Sequence, residues 1–130
     1  MLYNLIIKRT TVTIGAPFSA NKMYTPSKKY GMVKSAKYRN WIAKNIPLVQ
    51  NGLDKVEFFP VEIEIKVCGG RDFTNKSDID NTIKSAVDLL VKSGILPEDS
   101  LEYVQRASAR HFPFSCGESL TIISYLEFEV

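Results

Sequence analysis

Residues 79–93 carry an unbroken apolar stripe at helical spacing: Ile79, Ile83, Ala86, Val87, Leu90 and Val91 fall on one face at about 100° per residue. Such a face must be buried, so this stretch sets a core helix around which the rest of the chain has to fold. Gly94 supplies the helix C-cap. Asp80, Lys84 and Asp88 run along one edge of the stripe. Asp80 lies close to the apolar side, where an unpaired carboxylate is costly, so it needs a lysine, a metal ion or both. Asp78 and Asn81 stand at the head of the helix, and the turn Pro97-Glu98-Asp99 follows its end. Hard oxygen ligands grouped with one lysine suit a Mg²⁺ or Mn²⁺ phosphoryl-transfer site. Each residue also has a plain structural reading: Asp78 as a helix cap, and Asp80–Lys84 or Lys84–Asp88 as surface pairs one turn apart.

The remaining pattern predicts a single α+β domain over residues 1–130: a small mixed β-sheet with two main helices on one face, in the order β-α-β-α-β-β. Residues 3–14 read as a strand. Residues 15–33 read as a long loop, punctuated by Gly15, Pro17, Pro26 and Gly31, and that length suggests function. Residues 34–46 read as a helix that stops before Pro47. In residues 56–68, Val61, Ile63, Ile65 and Val67 alternate with Glu62, Glu64 and Lys66, the mark of a strand buried on one face. Residues 69–76 form a loop into the acidic helix. Residues 101–112 and 119–129 read as two strands, paired as an antiparallel hairpin.

Charge is divided sharply along the chain. Residues 1–53 hold nine Lys/Arg and no Asp or Glu, whereas residues 54–130 hold eight Lys/Arg and fourteen Asp/Glu. The net charge of +3 is therefore +9 in the first part and −6 in the second. An acid-free stretch of that length is an electrostatic footprint for a polyanion. Lys22, Lys28, Lys29, Lys34, Lys37, Arg39 and Lys44 alternate with Tyr24, Tyr30, Tyr38 and Trp41. Lysines neutralise phosphates, and aromatics stack on exposed bases. Lys28 and Lys29 mark a DNA-contacting flap, with Lys34, Lys37 and Arg39 beside it, while Trp41 reads as core.

Other classes lose ground. There is no run of 18 apolar residues, so no membrane span is expected. The start, MLYNLIIKRT, does not read as a signal peptide. Cys68 and Cys116 lack metal-ligand spacing, and two isolated cysteines fit a reducing cytoplasm, with a disulfide between them the other reading the sequence leaves open. His111 is the single histidine, which excludes chemistry built on a histidine pair.

The set Asp78-x-Asp80-Asn81-x-x-Lys84-x-x-x-Asp88, followed by Glu98-Asp99, resembles the RusA family of Holliday-junction resolvases. Pro17-x-Ser19-x-Asn21-x-x-Tyr24 and Ser35-x-x-Tyr38-Arg39-x-Trp41 add looser agreement. The acidic pair is Glu-Asp here, where Asp-Asp is common. The resemblance implies a magnesium-dependent endodeoxyribonuclease, with Mn²⁺ as the other suitable ion. It would resolve four-way DNA junctions by paired symmetric nicks in recombination and repair. It also implies a homodimer and a cytoplasmic, bacterial or phage-encoded setting. The functional set it implies is Asp78, Asp80 and Asp99 as metal ligands with Lys84 beside them. Asn81, Asp88 and Glu98 would then hydrogen-bond around that set. A helix of about 15 residues is about 22 Å long, so Asp99 cannot reach Asp78 straight from beyond the C-cap. Either the chain doubles back, or Asp99 of the partner subunit completes the site.

Two other readings stay open on sequence. A non-catalytic DNA-binding module would leave DNA intact with or without EDTA. Another metal-dependent phosphoryl-transfer enzyme would turn over a small phosphate ester, though no Gly-rich phosphate loop is present: Gly69-Gly70 lacks a following Lys-Ser/Thr.

Overall fold

The strand with the cleanest alternation becomes an interior strand of the sheet. A computed structural model describes residues 5–19, 23–69, 79, 81–112 and 119–129. In chain order the elements are β1 (Leu5–Ile14), β2 (Tyr24–Ser27), β3 (Gly31–Lys34), α1 (Ala36–Gly52), β4 (Val61–Cys68), α2 (Asn81–Lys92), β5 (Val104–Phe112) and β6 (Leu120–Glu129). Four strands form a mixed sheet in the order β1-β6-β4-β5, and β2-β3 form a separate two-stranded sheet. With two helices this is an α+β fold. Val61, Ile63, Ile65 and Val67 of β4 are fully buried, and Ile123 and Tyr125 of β6 lie on the same face. Both helices cover that face, closing a core that includes Tyr38, Val49, Leu89, Leu90 and Leu96. The opposite face, with Glu64, Lys66, Ser108 and Arg110, is open.

Two expectations about the strands are corrected. Residues 101–112 and 119–129 do not form a hairpin: β5 pairs parallel to β4, whereas β6 pairs antiparallel to both β1 and β4. The reason lies in α2. A helix between two strands carries the chain back along the sheet, so β4-α2-β5 is a parallel crossover unit. β6 then fills the place between β1 and β4. The strand expected from residue 56 begins at Val61, after a cis Phe59-Pro60 bond. Before it, the backbone N–H groups of Glu57 and Phe58 donate to the buried Glu127 carboxylate at 3.1 and 2.9 Å. That carboxylate takes donors a strand ladder would otherwise use.

The residues read as one long loop, 15–33, also hold structure. β2 and β3 pair from Tyr24↔Lys34 to Ser27↔Gly31 around the turn Lys28-Lys29-Tyr30. Gly31 has φ +72 and follows the turn, a position that favours glycine in a three-residue hairpin loop. The N–H groups of Lys29 and Tyr30 donate to Ser27 Oγ, which fastens the turn.

Helix α1 does not end before Pro47; it runs on to Gly52 with Pro47 inside. Proline deprives the Ala43 carbonyl of its helical donor. Val49 and Leu53, both buried, hold the last turn in the core against that loss. At the other end Ser35 caps the helix, its Oγ accepting from the Tyr38 N–H at 3.1 Å.

Candidate active site and nucleic-acid interface

Helix α2 is buried around most of its girth. Thr82, Ser85, Ala86, Val87, Leu89 and Leu90 are all enclosed, and the Ser85 hydroxyl donates to the Phe18 carbonyl at 2.6 Å. Its open edge is the row Lys84, Asp88, Lys92, one turn apart. Lys84 and Lys92 are exposed and Asp88 is half-buried between them. Asp78 and Asp80 lie outside the described residues, as does the Asn81 side chain.

Asp88 is paired from across the fold. The buried Tyr38 hydroxyl of α1 donates to Asp88 Oδ2, and Lys34 Nζ of β3 lies 3.7 Å from the same oxygen. Lys34 also sits 5.7 Å from the centre of the Tyr38 ring. Burial pushes the Tyr38 phenol well above its ordinary value of 10, and the hydrogen bond to Asp88 adds to the effect. Among the described residues, the ion pair that Asp88 makes is thus with Lys34. Tyr38 belongs to a packed aromatic group, with Phe18 at 5.1 Å and Trp41 at 6.2 Å between ring centres. The Trp41 indole N–H donates to the Ala16 carbonyl at 2.9 Å, so Trp41 is pinned at the edge of the core.

Asp99 and Glu98 are exposed in the turn that joins α2 to β5. That turn lies at the far end of α2 from Asn81. The Ile95 carbonyl accepts from the Val56 N–H and the Tyr103 carbonyl from the Val61 N–H, which places the segment at the start of β4. The head of α2, at Asn81, follows in the chain from the other end of β4, at Cys68. With 12 residues, α2 is about 18 Å long. Within one chain the fold does not bring Asp99 beside Asn81 and Lys84. Among the described residues no group of three His, Cys, Asp or Glu side chains is placed to hold a metal ion.

The cations from the acid-free segment are spread over the hairpin and α1. Lys28 and Lys29 stand exposed at the hairpin tip, with Lys29 Nζ 5.2 Å from the centre of the Tyr30 ring. Tyr30 is 71% exposed and Met32 is 63% exposed. Lys34 is at the hairpin base, and Lys37, Arg39 and Lys44 are exposed along α1. Lys22 lies outside the described residues. Lys92 escaped the sequence reading, and Tyr38 was named there only as an aromatic. Tyr38 looked like a helix aromatic with no sign of its partner. Lys92 could have been found, because Lys84, Asp88 and Lys92 share i, i+4 spacing.

No helix among the described residues is long and apolar enough to cross a membrane. Comparison with solved structures finds the GDP-bound monomer of CetZ1 from Haloferax volcanii. The likeness has 12% identity and a TM-score of 0.43, over 94% of this chain and 29% of that chain. No curated protein sequence matches. The family model for endodeoxyribonuclease RusA matches residues 14–118, a span that takes in the hairpin, α1, the acidic helix and the Glu98-Asp99 turn. The chain belongs to the RusA endodeoxyribonuclease family.

Proposed function

We propose that this protein is a metal-dependent endodeoxyribonuclease that resolves four-way DNA junctions by paired, symmetric nicks, acting as a homodimer. The observation that carries the proposal is the family match over residues 14–118. Two features support it. The hairpin offers Lys28 and Lys29 for phosphates beside an exposed Tyr30 that can stack on unpaired bases. The open edge of α2 carries Lys84, four residues after Asp80 in the sequence, and Lys84 is the cation a scissile phosphate would meet there.

Asp78, Asp80 and Asp99 are the residues that would hold the ion. Three carboxylates are hard donors, which suits Mg²⁺ or Mn²⁺. Bound there, such an ion supplies positive charge to the phosphate and acidifies a water molecule. Lys84 orients a non-bridging phosphate oxygen and offsets the charge that builds on it during in-line attack. Asn81 hydrogen-bonds a ligand carboxylate. Asp88 steadies the same helix edge through Tyr38 and Lys34. Because Asp99 follows the far end of α2, we assign it to the site of the partner subunit. A two-fold enzyme with two such shared sites matches the two-fold symmetry of a junction.

Asp80→Asn tests this assignment. The variant keeps the size of the side chain and removes one negative charge. Junction binding should persist while cleavage falls below a tenth of the wild-type rate. Cleavage above that level would remove Asp80 from the metal ligands.

A further inference from the structure

Between α1 and the last turn of α2 lies an open cavity of about 310 Å³, lined by Lys34, Arg39, Ile42, Ala43, Ile46 and Lys92. Its floor is aliphatic, its rim carries three cations, and no carboxylate lines it among the described residues. A lysine in the last turn of a helix complements the helix dipole, which accounts for Lys92 taken alone. It does not account for Arg39 facing the same hollow from another helix. Among the described residues neither Arg39 nor Lys92 has an ion-pair partner. Lys34 does: it and Tyr38 pair with Asp88, the carboxylate that the described residues place on this edge of α2. The part of the edge from Asp88 to Lys92 is thereby left able to receive an anion.

We propose that this groove is a second phosphate-binding site, in which Arg39 and Lys92 grip the backbone of the DNA strand being cut and the aliphatic floor meets its sugars. The proposal rests on the reading of the protein as a DNA junction nuclease. The geometry fixes which phosphates are held. Lys92 is two turns beyond Lys84, about 12 Å along α2. Successive phosphates of one strand rise about 3.4 Å along the duplex axis and also wind about it, so they stand about 7 Å apart, and this distance reaches about two phosphates from the one at Lys84. The same strand therefore meets Lys84 at the cut and the groove a short way along.

The test is a binding scan with four-way junctions in which single phosphates are replaced by neutral methylphosphonates, in Ca²⁺ so that no strand is cut. Wild type should lose affinity about five-fold or more when a phosphate about two positions from the cleavage site is neutralised. Arg39→Ala/Lys92→Ala should bind several-fold more weakly and should no longer respond at that position. It should keep the response at phosphates contacted by Lys28 and Lys29. Lys92→Glu, checked for folding by circular dichroism, should weaken binding further. If the double variant responds to those substitutions as strongly as wild type does, the groove holds no backbone and the proposal falls. If a deoxynucleoside monophosphate saturates the groove at micromolar concentration and leaves junction binding unaffected, the site serves a small molecule and the proposal also falls. Failure of the wild-type protein to bind any junction would instead overturn the DNA reading itself, and the groove proposal with it.

Discussion

Asp88 shows how far one side chain's role can lie from its local sequence. Periodicity places it on the edge of a helix, one turn from Lys84. Its partners, Lys34 and Tyr38, come from β3 and α1, some fifty positions earlier. Only tertiary packing could reveal them, whereas the edge itself was legible from the spacing of residues 79–93. The pairing has a measurable consequence. Tyr38 and Tyr125 both have phenol pKa values raised above 10, in each case chiefly by burial. The folded chain thus holds these two protons more tightly than the unfolded chain does. Their stabilising contribution is complete below about pH 10 and is lost as the pH rises beyond it. Tyr38 and Tyr125 should ionise above pH 10, together with unfolding, when phenolate absorbance and circular dichroism are followed side by side. Ionisation of Tyr38 near pH 10 in a chain that stays folded would contradict its burial. Tyr38→Phe should cost about 1.5–3 kcal/mol in denaturant unfolding, the usual range for a hydrogen bond to a charged group.

At the scale of elements, strong periodicity was read well and weak signals were not. β4 and α2 fell where their apolar patterns put them. The β2–β3 hairpin was missed because each strand has four residues, one of them Pro26, too few for an alternation to register. The end of α1 was missed because Pro47 reads as a stop, while buried Val49 and Leu53 hold the helix beyond it. β5 was assigned the wrong neighbour because chain proximity favours hairpins; the helix between β4 and β5 was the signal for parallel pairing. Two tests belong here. A Cβ added at Gly52 would come within 2.5 Å of Val12 Cγ2, on the strand beneath the end of α1. Gly52→Ala gains up to about 1 kcal/mol in helix propensity but overpacks that contact at about 1–3 kcal/mol. The variant should therefore melt below wild type, and a higher melting temperature would refute the close approach. In the hairpin, Lys28→Ala/Lys29→Ala should weaken DNA binding and flatten its log–log salt dependence by roughly one unit per lost phosphate contact. An unchanged slope would confine the basic surface to α1.

For the whole molecule, the crossover topology governs how a complete site can be assembled. α2 runs against β4 and β5, so its head and the turn carrying Asp99 lie at opposite ends of the sheet. From sequence, the chain could equally have doubled back, because helix length alone does not say where the next strand goes. A shared site makes a specific prediction for mixed dimers. Asp78→Asn and Asp99→Asn should each be inactive alone, and mixing the two with subunit exchange should restore one intact site per heterodimer. Nicking of a single strand should then reappear, without paired resolution. No rescue, with both variants folded and dimeric, would place Asp99 in the site of its own subunit. The central claim, that the acidic helix and the acid-free basic segment together form a junction nuclease, meets its most direct test in one assay. The wild-type protein is incubated with a four-way junction and with a linear duplex of matched sequence, in Mg²⁺ and in EDTA. Symmetric paired nicks in the junction with Mg²⁺, an intact duplex, and no cutting in EDTA are the predicted result; an uncut junction in Mg²⁺ or Mn²⁺, or cutting that persists in EDTA, would contradict it.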